Sequence, residues 1–392
     1  MPPTTPTDHV LRTRSKPPTD PDAAPVRIVD LFAGCGGLTL GAEQAVQASA
    51  MRLEIALAVD IEPLATAVYR RNFPDAEQVQ TDSVESFFDG ELGAHATFTE
   101  QLTQINTGRV DVLLGGPPCQ GHSNLNNHTR RIDEKNALYL RVVRAAEILL
   151  PRVVLIENVP AVRNDRHSGE GVVERAKKHL AALGYRVDDR IIDLDTLGVA
   201  QRRRRHILLA LADGEPITPD QIFDAAPTRV RRDLRWAIGD LLDATGDDPM
   251  DRAPQANDAN RKRMQYLLDN DEYDLPNVLR PQCHQGNHSY KSMYGRLRWN
   301  EPAQTITSGF GSIGQGRYMH PQQARALTAH EAARIQGFPD YFDFSSCPTR
   351  HALATMIGNA VPPALTAALF NVLLAQANPS AHVATARARV SA

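Results

Sequence analysis

The chain alternates short, continuous apolar runs with longer segments in which apolar residues recur every three or four positions. Between residues 26 and 211 the continuous runs are rich in β-branched side chains, which is typical of strands covered on both faces of a sheet. The predicted strands cover residues 26–32, 54–59, 110–115, 153–159 and 205–211.

Amphipathic helices are predicted between these strands. Residues 136–150 place Leu138, Val142, Ala145 and Leu149 on one stripe, and a second helix over 171–183 closes at a glycine suited to a C-cap. Repeated strand, helix, strand units predict an α/β fold, a doubly wound Rossmann-like domain.

This alternation of predicted strands and helices ends at about residue 213. The stretch to 325 is rich in Asp, Asn, Gly, Arg and Pro, with a short strand candidate at 304–310, and it predicts a smaller domain of irregular or β character. Helical periodicity returns over 327–337 and 361–376, and we expect these helices to pack back on the first domain. The predicted organisation is a disordered tail (1–25), the first part of the α/β domain (26–212), the smaller domain (213–325), helices completing the α/β domain (326–378) and a second disordered tail (379–392).

Composition narrows the class of protein. Apolar residues make up 42% of the chain and charged residues 23%, and no apolar run reaches about 18 residues, so we expect no membrane-spanning helix. Four widely spaced cysteines without a C-x-x-C pair argue against a disulfide framework and favour the reducing cytoplasm. The net charge of −3 does not by itself indicate a nucleic-acid partner, but residues 280–326 hold six Lys/Arg and one acid. A basic stripe of this kind predicts either phosphate contacts or an ordinary solvated face.

The first predicted strand runs into a glycine-rich turn, "DLFAGCGGLTLG" (30–41). Such turns bring backbone N–H groups close to a ligand, but position 39 is Thr where a dinucleotide fingerprint needs Gly, so a bound pyrophosphate is not favoured. Asp60 ends the second strand where a ribose diol would lie, Ile61 is placed to cover an adenine, and Asp82 to accept from an exocyclic amine. Each Asp alone is better explained as a turn or helix-cap residue. Together they favour an adenosine-type cofactor without pyrophosphate, and S-adenosyl-L-methionine fits that description.

The segment "GGPPCQGHS" (115–123) follows a buried strand with two glycines and two prolines. Glycines allow close approach and prolines stiffen the exit, so the turn holds Cys119 in a set place at the strand's end. A lone cysteine is usually a packing residue. These flanks instead predict a nucleophile.

Two further stretches supply partners for that thiol. "LIENV" places Glu157 at the end of an apolar strand, as a proton donor or simply as an ion-pair or cap residue. "QRRRRH" (201–206) enters the fifth strand, and strand alternation predicts that Gln201, Arg203 and Arg205 share one face. That face presents fixed donors to an oxygen-rich substrate.

The order of these motifs resembles the DNA (cytosine-5)-methyltransferase family over residues 26–376. "DLFAGCGGL" is similar to the family's cofactor loop, "PPCQ" to its nucleophile motif, and "ENV" and "QRRRR" to its base-binding motifs. "RALTAHEAARIQGFPDYF" (325–342) and "IGNAVPPAL" (357–365) are similar to its last two motifs. The stretch 213–325 would then be the target-recognition domain.

The resemblance implies methyl transfer from S-adenosyl-L-methionine to C5 of a cytosine flipped out of duplex DNA, with Cys119 adding to C6. Glu157 would contact N3 and the exocyclic amine, and Arg205, supported by Arg203, the O2 side of the ring. The cofactor-binding positions implied are Phe32, Gly34, Cys35, Gly37, Asp60, Ile61, Asp82, Ser83, Pro118, Leu138, Asn359 and Ala360.

DNA contacts are expected from a loop over residues 120–135 and from the basic stripe. The DNA-binding candidates are Gln120, Ser123, Arg130, Arg131, Lys135, Gln201, Arg296, Arg298 and Arg317. Cys283, His284 and His288 fall within six residues but have no fourth ligand nearby, so no metal site is expected.

Three positions depart from the family pattern. His122 stands where Phe is frequent, Lys135-Asn136 replaces an Arg-Gly pair, and His330 stands where Arg is common. The expected partner is double-stranded DNA, with a cognate restriction endonuclease as a candidate second partner. We further expect a cytoplasmic monomer that is nucleoid-associated when on DNA. The alternatives are a tRNA cytosine-5 methyltransferase, a catalytically inactive DNA-binding relative, and a nicotinamide oxidoreductase, the last disfavoured by the missing glycine.

Overall fold

Seven strands build one twisted sheet whose carboxyl edge carries most of the predicted site. The computed structural model describes residues 9–118, 136–167, 169–228, 230–242, 248–285 and 292–377. Its strands are β1 (Pro25–Leu31), β2 (Arg52–Asp60), β3 (Val79–Thr81), β4 (Val112–Gly115), β5 (Val153–Asn158), β6 (Arg166–His167), β7 (Glu170–Gly171), β8 (Tyr185–Asp193), β9 (Gln201–Arg202), β10 (Arg204–Ala212) and β11 (Ala303–Gln304).

The order in the large sheet is β3-β2-β1-β4-β5-β10-β8. The first five strands are parallel, whereas β10 runs antiparallel to both of its neighbours, β5 and β8. The doubly wound α/β prediction is confirmed, and all five predicted strands are present. β3 and β8 were not predicted, because β3 has only three residues and β8 is interrupted by charged side chains.

Eleven α-helices accompany the strands in the described part of the chain. They are α1 (Gly37–Ala48), α2 (Pro63–Asn72), α3 (Phe98–Thr107), α4 (Asn136–Leu149), α5 (Val172–Ala182), α6 (Pro219–Ala225), α7 (Leu234–Ile238), α8 (Asp258–Asp269), α9 (Ala329–Gln336), α10 (Arg350–Asn359) and α11 (Ala364–Ala377). The predicted C-terminal glycine of α5 is Gly184, with φ +90°.

The chain divides into two units. The sheet unit comprises Pro17–Asp193, Arg204–Thr228 and Pro363–Ala392, and the loop-rich unit comprises Met1–Lys16, Leu194–Arg203 and Arg229–Pro362. The core of the sheet unit lies under β1, β2, β4 and β5 with α4 and α5, and the loop-rich unit has its own cluster around Met264, Leu267 and Met319.

These boundaries correct the predicted organisation in two places. Residues 213–228 stay with the sheet unit, and residues 326–362 belong to the loop-rich unit instead of completing the α/β domain. α9 packs on α7 and α10, and Arg334 bonds Asp240 at 2.9 Å, so this helix is fixed within its own unit. α11 belongs to the sheet unit and packs there against α1. Helical periodicity in the sequence identifies which face of a helix is apolar, but it does not show which of the two units that face packs in.

The predicted disordered N-terminal tail is wrong for residues 9–25. Leu11 is buried within the loop-rich unit, and its carbonyl accepts from Asp340 N at 2.9 Å. The Pro-rich composition suggested disorder, but docking of one apolar side chain and backbone pairing order this segment. The predicted tail 379–392 lies outside the described residues. The strand candidate at 304–310 shrinks to the first residue of that range, within β11.

Two close backbone approaches fix the last helices. A Cβ on Gly41 in α1 would lie 2.0 Å from the carbonyl oxygen of Pro363, just before α11. A Cβ on Gly358 in α10 would lie 2.2 Å from Ser308 N and 2.4 Å from the Thr307 carbonyl carbon. Backbone atoms cannot swing aside as side chains do, so both positions require glycine.

Substitution Gly358→Ala is therefore expected to lower the free energy of unfolding by at least about 2 kcal/mol, since overpacked sites cost ~1–3 kcal/mol. Without the close contact, Ala near the end of a helix would stabilise, so the sign is diagnostic. Urea denaturation measures it, with Gly311→Ala as the control, because its Cβ would meet only Pro254 at 3.5 Å. Equal stability of the two variants would contradict the close approach.

One segment, Arg350–Gln376, is long and apolar enough to pass a test for a membrane-spanning helix, with a mean hydropathy of 1.5. It consists of α10 and α11 with a non-helical break between them, and 56% of the apolar window is buried in the protein. Core helices of soluble proteins share this composition.

Candidate active site

The glycine-rich turn after β1 forms a backbone cradle at the carboxyl edge of the sheet. Phe32, Gly34 and Gly36 all have positive φ, at +57°, +54° and +93°. A Cβ on Gly34 would meet nothing within 4 Å, so the space over this residue is open to a ligand. Gly34 N donates to Asp60 Oδ2 at 2.8 Å, which ties the turn to the end of β2.

The ends of β2 and β3 place three predicted cofactor residues beside this turn. Asp60 Oδ1 accepts from Glu62 N at 2.9 Å, and burial raises the pKa of Asp60 above its usual value. The side chain of Ile61 is 74% exposed, which is unusual for a large aliphatic residue. Asp82 is exposed and accepts from Ser83 N and Ser86 Oγ. A carboxylate, an apolar face and a second carboxylate suit the ribose, base and amine of an adenosine.

The other predicted cofactor positions differ in what they can offer. Cys35 is buried, so its side chain packs inward and only its backbone faces the turn. Gly37 is the buried first residue of α1, Ser83 caps a short 3-10 helix, and Leu138 is half-buried in α4.

A buried polar chain beneath the turn was not predicted. Thr39 Oγ1 donates to Asp30 Oδ2 at 2.6 Å and lies 2.8 Å from Tyr69 Oη. Complete burial raises the pKa of Asp30 to about 7, although the bond from Thr39 opposes that rise. This chain joins the end of β1 to α1 and α2 and so fixes the turn from below.

The exit from β4 is rigid up to Pro118, which is exposed. Gly116 N donates to Leu31 O at 3.1 Å, and Asn158 Nδ2 donates to Pro117 O at 3.1 Å. A Cβ on Gly115 would lie 2.7 Å from Val142 of α4, so glycine is needed there for the helix to pack. Cys119 and the predicted loop residues 120–135 lie outside the described residues.

Glu157 and Arg205 form an ion pair beside this exit. Arg205 Nε lies 2.6 Å from Glu157 Oε1, and the two side chains are only 14% and 9% exposed. The pair sits where β5 ends against β10, and a Cβ on Gly116 would lie 3.9 Å from Glu157 Oε2. The ion-pair alternative is therefore observed, and it holds the carboxylate in a fixed orientation at the end of β5, beside the exit from β4. Such an arrangement positions hydrogen-bond donors and acceptors for a planar ring.

Arg203 and Gln201 do not share a strand face with Arg205, which corrects that expectation. The chain leaves β9 at Arg202 and enters β10 at Arg204, and the two strands belong to different sheets. Arg203 donates to Ile306 O at 2.8 Å and to Ala360 O at 3.2 Å within the loop-rich unit. Alternation assumed one continuous strand, and the break occurs at Arg203.

Gln201 is fully buried, and this corrects its assignment as a DNA contact. Its amide donates to Ile335 O at 3.2 Å and to Gln336 Oε1 at 2.6 Å, and its oxygen accepts from Ile306 N at 3.1 Å. Both amide N–H groups and the amide oxygen of Gln201 therefore have partners inside the loop-rich unit.

Gln336 completes this network and was not predicted. Its amide donates to Ile357 O at 2.6 Å and to Ala360 O at 3.4 Å. Together with Arg203 it fixes the backbone around Asn359, whose side chain is exposed, and Ala360, which is buried. A fixed turn with an exposed amide agrees with the predicted binding role of Asn359. The sequence carries no distinct signal for this network, because Gln336 is one of four polar residues in α9, "AHEAARIQ".

Two of the three arginines predicted to contact DNA in the basic stretch 280–326 bond to other residues of the loop-rich unit. Arg296 donates to Pro321 O at 2.6 Å and pairs with Asp271, and Arg317 donates to Tyr273 O at 2.7 Å and pairs with Asp274. These two arginines build the loop-rich unit, which corrects their assignment to DNA. Arg298 is 42% exposed and stacks 3.8 Å from the centroid of the Tyr273 ring. It stays a predicted DNA contact.

Cys283 and His284 do not belong to a metal-ligand group, since no three His, Cys, Asp or Glu side chains among the described residues are grouped as metal ligands. His284 Nδ1 lies 3.0 Å from Tyr294 Oη, and Cys283 is exposed. His288 lies outside the described residues.

His330, where the family pattern has Arg, joins two carboxylates. Its Nδ1 lies 2.7 Å from Asp251 and its Nε2 lies 2.9 Å from Asp340. Burial alone would lower the pKa of His330, but the bonds from Asp340 and Asp251 outweigh it and raise the pKa. Burial likewise opposes ionisation of Asp340, yet His330 and Arg334 lower its pKa to about 2.

The charge on His330 is therefore expected to stabilise the fold at low pH. Because the pKa of His330 is raised on folding, its contribution is complete below about 6.5, the unfolded value, and is lost as pH rises through the folded value. The free energy of unfolding of wild type minus that of His330→Gln should be about 1–3 kcal/mol at pH 6 and smaller at pH 8.5. Urea denaturation at both values measures it. The free energy of unfolding of His330→Arg minus that of His330→Gln should be the same at both pH values, because Arg is charged throughout. A wild type minus His330→Gln difference that does not depend on pH would contradict the assignment.

Comparisons with known proteins agree on one family. The model of the C-5 cytosine-specific DNA methylase family matches residues 26–375. "Type II methyltransferase M1.BsuMI" of Bacillus subtilis is 43% identical over 91% of this chain and 82% of its own length. "Type II methyltransferase M1.HphI" of Haemophilus parahaemolyticus is 30% identical over 88% and 86%.

Solved structures show the same fold. A DNA modification methyltransferase encoded within an Escherichia coli prophage superposes with a TM-score of 0.62 at 22% identity, over 90% of this chain and 99% of that one. The Dnmt2 methyltransferase of S. pombe superposes with a TM-score of 0.60 at 19% identity, over 90% and 99%.

Proposed function

This chain belongs to the C-5 cytosine-specific DNA methylase family and is a DNA (cytosine-5)-methyltransferase, and from that premise we propose how and where it acts. It methylates a cytosine flipped out of duplex DNA, within one short recognition sequence, through a covalent bond between Cys119 and C6. The observation that supports this most is the Glu157–Arg205 pair beside the rigid turn that leads into Cys119.

The family uses S-adenosyl-L-methionine, which when bound supplies a methyl group activated by its sulfonium. The carboxyl edge of the sheet fits this cofactor. Gly34 leaves open space for it, Asp60 would accept from its ribose hydroxyls, Ile61 would cover the adenine, and Asp82 would accept from the adenine amine. Asn359 and the backbone of Ala360 complete the set of residues proposed to hold it.

The cytosine is activated by Cys119. C5 of an aromatic pyrimidine is a poor nucleophile, and addition of the thiolate to C6 converts C5 into an enamine carbon. As C5 takes the methyl group, the S–CH3 bond of the donor would break and leave S-adenosyl-L-homocysteine. The C5 proton is then lost to solvent, and the electron pair expels the thiolate from C6. The ring is restored and Cys119 is free for the next turnover.

Glu157 and Arg205 hold the ring during this addition. The Glu157 carboxyl group contacts N3 and the exocyclic amine and donates a proton or hydrogen bond as negative charge enters the ring. Arg205 orients that carboxyl group and reaches the O2 side. Arg203 acts indirectly, because its guanidinium fixes the backbone at Ile306 and Ala360. Stacked bases hide C5 and C6, so the target base is flipped out of the helix before it reacts.

The biological setting follows from the relatives, two of which are Type II methyltransferases. We place this enzyme in a restriction–modification system or an orphan modification role, with a cognate endonuclease as candidate partner. It acts as a cytoplasmic monomer on the nucleoid, because one flipped base needs one active site.

Methyl transfer from labelled S-adenosyl-L-methionine tests the proposal, with genomic DNA and tRNA as competing acceptors and bisulfite sequencing of the product. Modified cytosines in one short DNA motif are expected. Methylation of tRNA without methylation of DNA would show that the substrate is tRNA. Cofactor binding without any transfer would indicate an inactive DNA-binding relative.

A further inference from the structure

The carboxylate of Asp189 in β8 joins three basic side chains within the sheet unit. Asp189 Oδ2 accepts from Arg163 Nε at 3.0 Å and from Arg163 Nη2 at 2.7 Å, and it lies 2.9 Å from His206 Nε2. Asp189 Oδ1 accepts from Lys177 Nζ at 2.7 Å. Because an ionised carboxylate only accepts hydrogen bonds, His206 Nε2 is the donor in its bond.

The bond between His206 and Asp189 is the most deeply buried of these contacts. The side chain of His206 is fully buried, and that of Asp189 is 8% exposed. The bond from His206 is the main cause that lowers the pKa of Asp189 well below its usual value, although burial opposes this effect. Hydrogen bonds to an ionised group are short and strong, so this bond fixes the relative position of the two strands that carry its partners.

The segments that meet at Asp189 are those that carry the Glu157–Arg205 pair. In the large sheet β10 lies between β5 and β8. His206 directly follows Arg205 in β10, and Arg163 lies in the short 3-10 helix Pro160–Asn164, which follows β5 and packs on β10. Both segments are therefore tied to the same carboxylate of β8.

The Asp189 carboxylate and the ion pair lie on opposite faces of the sheet. Side chains alternate along a strand, so His206 points away from the face on which Arg205 pairs with Glu157. His206 bonds Asp189 on its own face. A base held by the ion pair would not contact Asp189, so any effect of Asp189 on the reaction has to pass through the backbone.

From this arrangement we propose that Asp189 is a positioning residue for methyl transfer, which acts through His206 and Arg163. The bond to His206 fixes the start of β10, where Arg205 lies, and the bonds to Arg163 fix the segment that continues from Glu157. A misplacement of catalytic groups by about 1 Å can cost about 10²-fold in rate. The proposal rests on the role proposed above for the Glu157–Arg205 pair.

His206→Phe tests the proposal, because it keeps an aromatic ring and removes the hydrogen-bond donor to Asp189. We expect kcat for methyl transfer to duplex DNA to fall about 10–10²-fold. The KM for DNA and the Kd for S-adenosyl-L-methionine should be unchanged, since neither the phosphate contacts nor the cofactor residues are touched. His206→Gln supplies an amide N–H in place of Nε2 and should recover most of the activity. Arg163→Gln is a second variant, at a partly exposed side chain, and should also lower kcat.

Lys177→Gln is the matched control. It removes a bond to the same carboxylate, but Lys177 lies on α5, which carries neither member of the ion pair. Lys177→Gln and His206→Phe should both lower the urea midpoint, whereas kcat should fall only in His206→Phe. An equal fall of kcat in Lys177→Gln would overturn the proposal. So would wild-type kcat in both His206→Phe and Arg163→Gln, or a His206→Gln variant as slow as His206→Phe.

Glu157→Gln separates this proposal from the function on which it rests. In the Glu157→Gln background, His206→Phe should lower the single-turnover rate much less than it does in wild type, because the carboxylate that it positions is absent. The same loss in both backgrounds would show that His206 acts on another part of the protein and would overturn the proposal. A Glu157→Gln variant as active as wild type would refute the role of the ion pair and the positioning role with it, and a wild type that methylates no DNA would refute the function itself.

Discussion

Cys119→Ala is expected to reduce methyl transfer by at least about 10⁴-fold, since removing a nucleophile removes the covalent route altogether. The variant should still bind S-adenosyl-L-methionine, because the proposed cofactor contacts lie after β1, at the end of β2, after β3 and at Asn359 and Ala360, and none of them is the Cys119 thiol. It should also bind duplex DNA. The substitution should therefore lower the rate of the chemical step and leave the binding of cofactor and DNA unchanged. Single-turnover methyl transfer measures the rate of that step.

A duplex with 5-fluorocytosine at the target position gives a second measurement. Fluorine cannot leave as a proton does, so the adduct between Cys119 and C6 persists after methyl transfer. Wild type should give a denaturation-resistant protein–DNA band, and Cys119→Ala none. Cys283→Ala is the control, since Cys283 is an exposed cysteine outside the site. A band from Cys119→Ala, or its absence from Cys283→Ala, would show that another residue is the nucleophile.

Glu157→Gln is the second large effect, with an expected fall in kcat of about 10²–10⁴-fold, the range of general acid–base catalysis. The amide keeps the shape of the side chain but cannot give a proton to N3, and it leaves the Arg205 guanidinium, 2.6 Å away, without its counter-charge. The KM for DNA should change much less than kcat, because most DNA affinity comes from phosphate contacts.

Glu215→Gln provides a matched control. Glu215 has the same exposure as Glu157, 9%, and pairs with Arg152 at 2.8 Å, but it lies beyond the other end of β10. Loss of that pair should affect stability and leave kcat unchanged. If Glu215→Gln lowered kcat as strongly as Glu157→Gln does, the effect of Glu157 would be structural.

The sheet unit could be predicted because its signals are local. Continuous apolar runs mark the strands from Pro25 to Ala212, and glycine turns mark their carboxyl ends. The division of the chain could not be predicted in the same way. α9 and α11 have similar periodicity, yet one packs in each unit, and only three-dimensional contacts such as Arg334–Asp240 decide between them.

The candidate site was predictable where a residue acts at a strand end. Glu157 and Asp60 lie where the sequence placed them, and the ion pair with Arg205 joins residues from two of the predicted strands. Residues that act through backbone carbonyls escaped prediction. Gln336 and the internal role of Arg203 depend on the carbonyls of Ile306, Ile357 and Ala360, which carry no side-chain signature. The internal bonds of Arg296 and Arg317 could not be predicted either, because both arginines donate to backbone carbonyls.

The contact between Gly41 and Pro363 also determines when the sheet unit can complete its folding during synthesis. α1 emerges early from the ribosome, but its partner α11 is the last helix of the described chain. The face of α1 that α11 covers stays uncovered until residue 377 has been synthesised. Contacts this distant in sequence form slowly and leave apolar surface exposed to aggregation. A frameshift that removes only α11 would consequently spare every proposed catalytic residue and yet yield a chain that is degraded or aggregates before it can methylate DNA.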